Sequence, residues 1–203
     1  LFILALLILA LSFSLRAEGT GADEVQHLLN QAEAQLGTSM DKAVEYASRA
    51  LLMAQYHKLP LQAAQAQLYL AKGYHQAGVY DQALKRSQQA LKGFESLGNE
   101  KGVADAYEQM GNIYWRLERE EQVKECFSKS LTIRRKLNDP AALADALNNL
   151  GIVHLHYLNN PELALKYYRE ALDKSRSVGH KAGMAHSLNN IGNLFLMQGD
   201  IRQ

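Results

Sequence analysis

The sequence predicts an all-α fold, an α-solenoid of antiparallel helix pairs, on three observations. One pattern recurs along most of the chain at a spacing of forty or forty-one residues, and its clearest copy is Tyr107-x-x-Met110-Gly111-x-x-Tyr114 followed by Val123-x-x-x-Phe127-x-x-Ser130-Leu131. Small residues hold fixed places in that pattern: Ala71, Gly111, Gly151 and Gly192 at one, Ala43, Ala83, Val123 and Ala164 at a second, Ala50, Ala90, Ser130 and Ala171 at a third. A period of this length marks stacked helical hairpins, none of which buries its apolar face without a neighbour. The third observation is composition: 203 residues, 47% hydrophobic and 21% charged with only three prolines, supply a substantial core and leave helix interiors unbroken.

Taken in order, the chain begins with LFILALLILALSFSL, uncharged and ending at Arg16-Ala17-Glu18. A membrane span needs ~20 apolar residues, so this run is short for one and fits the apolar core of a secretory signal with Ala17 at the cleavage point. Residues 1–17 are therefore expected to be a signal peptide, with a retained signal anchor as the competing reading. No initiator Met and no basic segment precede the run, so the protein is expected to begin further upstream. Residues 18–23 read as a short linker with Asp23 a candidate helix cap. The repeats follow at about 22–60, 61–100, 101–140 and 141–181, with a half unit at 182–203 whose second helix is expected beyond Gln203.

The third unit shows why each repeat is a hairpin. Ala104, Tyr107, Met110, Gly111 and Tyr114 recur at steps of three or four and so share one helical face. Val123, Phe127, Ser130 and Leu131 do the same on the second helix, and the small residues let the two axes approach. The turn Leu117-Glu118-Arg119-Glu120 is short, which makes the two helices antiparallel neighbours. Gly78 marks the matching turn of the second unit and Gly199-Asp200 that of the last. Links between units carry helix-stopping signals at Leu97-Gly98-Asn99, Asn138-Asp139-Pro140 and Val178-Gly179-His180. The fourth unit is one residue longer at Asn159-Asn160-Pro161, where Pro161 suits the first turn of a helix.

These motifs resemble the tetratricopeptide repeat. The first half stands at Tyr107-x-x-Met110-Gly111-x-x-Tyr114, Leu147-x-x-Leu150-Gly151-x-x-His154 and Leu188-x-x-Ile191-Gly192-x-x-Phe195, with a weaker copy at Gln67-x-x-Leu70-Ala71-x-x-Tyr74. The second half stands at Val123-x-x-x-Phe127 and Ala164-x-x-x-Tyr168, degenerating to Ala83-x-x-x-Ser87. The closing proline of the repeat is missing, and the period exceeds the usual ~34 residues. The period and the Asn-Asn-Leu-Gly and Asn-Asn-Ile-Gly segments are more similar to the long-repeat branch that includes kinesin light chains and bacterial signalling proteins. The resemblance covers residue 24 to the end and implies a right-handed superhelix whose concave side binds other proteins.

The resemblance also implies where a ligand would lie. A second stripe on the first helix of each unit lines the inside of the curve: Asp105, Glu108, Asn112 and Trp115 in the third unit, with Gln65, Leu68, Lys72 and His75, then Asp145, Asn148, Ile152 and Leu155, then His186, Asn189, Asn193 and Leu196 at matching places. Lys72, His75, Asn112, Trp115, Arg116, Asn148, Asn189 and Asn193 are the candidate protein- or peptide-binding residues. Asparagine amides both donate and accept, so a ladder of them suits the backbone of an extended peptide. Asn149 and Asn190, nearer the edge, serve equally well to satisfy a neighbouring buried group. Trp115 would supply an apolar pocket or cover the next hairpin. Asp105, Glu108 and Asp145 oppose a carboxylate ligand.

Other chemistries find no support in these residues. Lys plus Arg number 22 against 21 Asp plus Glu, and no basic run exceeds Arg134-Arg135-Lys136, so nucleic acid is a poor partner. His154 and His156 point to nearly opposite sides of a helix, and His154 reads as a core histidine. No Gly-rich phosphate loop or nucleophile elbow is present. Cys126 reads as a small buried residue. The expectation is a non-catalytic scaffold without cofactor or metal, exported to a periplasmic or other extracytoplasmic space, and touching a membrane only through an uncleaved N-terminal segment. The alternative is the extracytoplasmic sensory part of a longer membrane-bound signalling protein with a kinase- or cyclase-type output.

Overall fold

The computed structural model describes residues 21–199. The apolar N-terminal segment and the residues after Gly199 lie outside that range, and with them the signal-peptide reading. Among the described residues there are nine helices and no strand. The first, α1, covers residues 21–35. The others are α2 (Met40–Tyr56), α3 (Pro60–Gln76), α4 (Tyr80–Ser96), α5 (Glu100–Arg116), α6 (Glu120–Arg134), α7 (Pro140–His156), α8 (Pro161–Ser177) and α9 (Lys181–Met197). No described helix is long and apolar enough to cross a membrane. Asp23 lies inside α1, not ahead of it, because α1 already runs at residue 21.

Helix ends follow from local chemistry. Pro60, Pro140 and Pro161 open α3, α7 and α8, where the missing amide proton is no loss. Asp139 and Asn160 each accept a hydrogen bond from the amide three residues on, Ala142 N at 3.1 Å and Leu163 N at 3.0 Å. The hairpin turns place one residue in the left-handed region, Gly78 at φ 71°, Glu118 at 55° and Asn159 at 44°. Only glycine adopts that region without cost, so Glu118 is held there by the packing of the helices on either side.

The chain divides into two compact units at Gly102 and Val103. In the first, Val25, Leu28, Leu29 and Ala32 of α1 pack with Ala47, Ala50, Leu51 and Ala54 of α2 and Ala66 and Leu70 of α3. Alanine dominates because the helix axes lie close, and a methyl group is all the crossing admits. In the second unit the core runs through Val123, Phe127, Leu131, Ala144, Leu147, Leu150 and Val153, then Ala164, Tyr168 and Leu194. Gly111 and Gly151 face the rings of Phe127 and Tyr168, and a Cβ on either would stand 2.6 Å and 2.4 Å from the nearest ring carbon. The motif's glycine and its aromatic residue are thus two halves of one helix crossing. The recurring small positions 43, 83, 123 and 164, and 50, 90, 130 and 171, are all buried.

Candidate functional site

In the second unit, α6 carries its apolar stripe through Val123, Phe127 and Ser130 to a charged residue, Arg134, only 5% exposed. A buried guanidinium needs counter-charges, and α5 supplies two. Arg134 Nη2 donates to Asp105 Oδ1 at 2.7 Å and to Glu108 Oε2 at 2.6 Å, while Nε donates to Ser130 Oγ at 3.2 Å. The second oxygen of Glu108 accepts from Asn149 Nδ2 of α7 at 3.2 Å. One polar network thus ties three helices together. Burial pushes the Glu108 carboxyl above the ordinary range, against the attraction and hydrogen bond of Arg134. Burial alone would weaken the Arg134 charge, but Glu108 and Asp105 more than offset it.

Beside this network lies a pocket of about 320 Å³, lined by Glu108, Asp145, Asn148, Asn149, His180, Ala182 and His186. Asp145 is half-buried and has no ion pair among the described residues. Burial raises its carboxyl above the usual value, while His180, His186 and Arg134 act in the opposite direction. Asn148, 4% exposed, has its Oδ1 3.1 Å from Ser187 Oγ of α9, a hydroxyl whose one proton also lies within reach of Gly183 O at 2.9 Å. Its Nδ2 is buried and has no partner among the described residues. His180 Nδ1 and Ser175 Oγ share that condition.

The eight residues expected to bind a ligand fall in both units, Lys72 and His75 in the first and the other six in the second. Asn148 is the one that lines the pocket, and it is buried there by the crossing of α7 with α9, so it is not an exposed rung of a ladder. Asn189 and Asn193 are exposed on α9, and Asn112 is half-buried on α5. Trp115 packs edge-on against His156 and Tyr157, at ring separations of 5.6 and 4.9 Å, so it covers the next hairpin and does not open a pocket. Arg116 is exposed. In the first unit, Lys72 sits 5.5 Å from the centre of the Tyr69 ring and His75 lies 6.0 Å from that of Tyr80. Asn149, placed at the edge of the stripe, satisfies Glu108. His154 stacks on Tyr167 at 5.2 Å, with burial lowering its basicity. Among the described residues no three side chains are grouped to hold a metal ion.

Arg134 and His180 went unrecognised as part of a site in the sequence. A signal for Arg134 existed: Ala54 and Phe94 hold the same place in the two preceding units, and both are buried. An arginine in that series announces a buried charge.

The family model of the tetratricopeptide repeat matches residues 62–136 and 142–203. The chain belongs to the tetratricopeptide repeat family. No curated protein is matched by sequence. Three solved structures share this repeat fold. BtubC (BKLC) from P. vanneervenii has a TM-score of 0.70 at 19% identity, over 92% of this chain and 85% of that one. A Rap protein complexed with Competence and Sporulation Factor has a TM-score of 0.75 at 16% identity, over 89% of this chain and 54% of that one. A kinesin light chain candidate with nearly identical tetratricopeptide-like repeats from P. anserina has a TM-score of 0.66 at 10% identity, over 86% of this chain and 87% of that one. The chain spans about half the length of the Rap protein. The tetratricopeptide repeat fold is that of a protein-binding scaffold, typically without catalytic chemistry of its own.

Proposed function

We propose that this tetratricopeptide repeat protein is a non-catalytic scaffold that holds a protein or peptide segment along α5, α7 and α9, centred on the pocket at Asn148. The observation that carries this reading is the pocket itself, set on the stripe of the first helices and walled by the carboxylates of Glu108 and Asp145 and the amides of Asn148 and Asn149. Side-chain amides beside carboxylates suit the main chain of a bound segment, since an amide both donates and accepts. The pairing of a related fold with Competence and Sporulation Factor in the Rap structure supports a ligand of this kind. Exposed Asn189 and Asn193 extend the same helix face beyond the pocket.

The test is selection of displayed random nonapeptides on the full chain, followed by titration of the selected peptide against Asn148→Ala combined with Asn189→Ala. Affinity is expected to fall by about tenfold or more while the helical circular dichroism is unchanged. Unchanged affinity would place the binding site elsewhere. We further assign the protein to an extracytoplasmic compartment on the strength of the apolar residues 1–15. Fusion of residues 1–23 to a reporter active only after export tests that, and a reporter retained in the cytoplasm refutes it.

A further inference from the structure

The repeat supplies its own internal comparison. Asp105 is the sixth residue of α5 and Asp145 the sixth of α7, while Glu108 and Asn148 are both the ninth. Arg134 is the fifteenth residue of α6, and Ser175 the fifteenth of α8. In the third unit the aspartate meets the guanidinium from the following helix at 2.7 Å. In the fourth unit the aspartate remains and the arginine does not. Asp145 therefore keeps a half-buried carboxylate at a place where the fold elsewhere installs a cation.

Around Asp145 the pocket is lined by two imidazoles, His180 and His186, and, among the described residues, by no lysine or arginine. Ser175 Oγ and His180 Nδ1, both buried and unpartnered among the described residues, flank Gly183. Asn148, whose Nδ2 is equally buried and unpartnered among the described residues, lines the same pocket as Asp145. Asp105, Glu108 and Asp145 set three carboxylates against the single guanidinium of Arg134, which is already committed to the first two. The pocket wall thus pairs the carboxylates of Glu108 and Asp145, with the imidazoles of His180 and His186 beside them, with the side-chain amides of Asn148 and Asn149. That pairing fits the main chain and side chain of one basic residue, the carbonyl to the amide and the cation to the carboxylate.

Resting on the scaffold role proposed above, we infer that this pocket receives a lysine or arginine side chain of the bound segment, with Asp145 as its counter-ion. A partner offering an acidic or apolar residue at this position is rejected, because it leaves Asp145 unpaired or adds a like charge.

The experiment uses the full chain immobilised and challenged with four pools of nonapeptides, identical in degeneracy except for a central residue fixed as arginine, lysine, norleucine or glutamate. The arginine and lysine pools are expected to be retained about tenfold or more above the other two, with the difference shrinking in high salt. Asp145→Asn, with its helical circular dichroism intact, is expected to erase the preference. Ser175→Arg supplies the cation from inside and is expected to erase it as well. Retention without preference for a basic centre, or a preference that survives Asp145→Asn, overturns this inference and leaves the scaffold role standing. Retention of none of the pools overturns both.

Discussion

Replacing Arg134 with methionine removes the guanidinium that bridges Asp105 and Glu108 while keeping an unbranched chain in its place. The two carboxylates stay behind, with side chains 31% and 23% exposed. Removing one partner of a buried ion pair costs about 3–5 kcal/mol, because the remaining charge is left in a poor solvent. With a urea dependence of about 2 kcal/mol per molar, the unfolding midpoint should fall by about 1.5–2.5 M at pH 8. The sign of the pH dependence then follows from Glu108. Burial holds its carboxyl above the ordinary value, and Arg134 pulls it down. Without Arg134 that opposition is gone, and Asp105 and Asp145 add to the rise. A carboxyl raised in the folded state favours folding while protonated and costs stability as pH climbs through the raised value. The deficit of Arg134→Met is therefore expected to narrow as pH falls from 8 toward the ordinary carboxylate range. Adding Glu108→Gln should recover part of the loss, with a coupling of about 1–3 kcal/mol. Unfolding is followed by helical circular dichroism and by the fluorescence of Trp115, the single tryptophan, which reports this unit alone. A deficit below about 1 kcal/mol, or one of equal size at pH 5 and pH 8, refutes the assignment of Arg134 as the buried charge that organises α5, α6 and α7.

Two further predictions bear on the packing. Gly111→Ala and Gly151→Ala, whose new methyl groups would press on the Phe127 and Tyr168 rings, should each lower stability by about 1–3 kcal/mol in urea titrations. Gly192→Ala, at the same repeat position but with nothing among the described residues within 4 Å, should raise it by about 0.5–1 kcal/mol; a loss there refutes the packing account. The Cys126 thiol, 4% exposed and pushed up to about 11 by burial, should resist a disulfide reagent at pH 8 until urea unfolds the chain. Rapid labelling of the native protein would show that the thiol is open to solvent.

The helix pairs were legible because close crossings leave a period in the sequence. A methyl group or a bare Cα is demanded wherever two axes approach, so Ala43, Ala83, Val123 and Ala164 repeat, and Gly111 finds Phe127 as Gly151 finds Tyr168. The second stripe was legible for the same reason, and its members Glu108, Asp145, Asn148 and His186 line one pocket. The condition of each member was not legible. Asn148 and Asn189 share a register, but Ser187 of α9 crosses over the first, and among the described residues nothing comparable covers the second. Trp115 stands on the stripe by spacing, yet its ring turns to His156 and Tyr157. Arg134 was hidden by its neighbours Arg135 and Lys136, which made it look like part of a solvated basic run. Its partners lie 29 and 26 residues earlier in the chain, a distance at which charge pairing leaves no local pattern.

A repeat equalises backbone geometry between units but places no such constraint on charge. The third and fourth units therefore solve the same position differently. Where Arg134 is present, Asp105 and Glu108 are drawn inward and become part of the framework, and they offer little to a visiting molecule. Where Ser175 replaces the arginine, Asp145 is released from that duty but cannot retreat into solvent, because the crossing of α7 with α9 keeps it half-buried. A carboxylate in that position is destabilising to the fold unless it meets a cation or takes up a proton, and on the proposed reading the cation comes from the bound segment. The same aspartate is therefore structural in one repeat and available in the next, and the residue that decides between the two roles lies on a different helix.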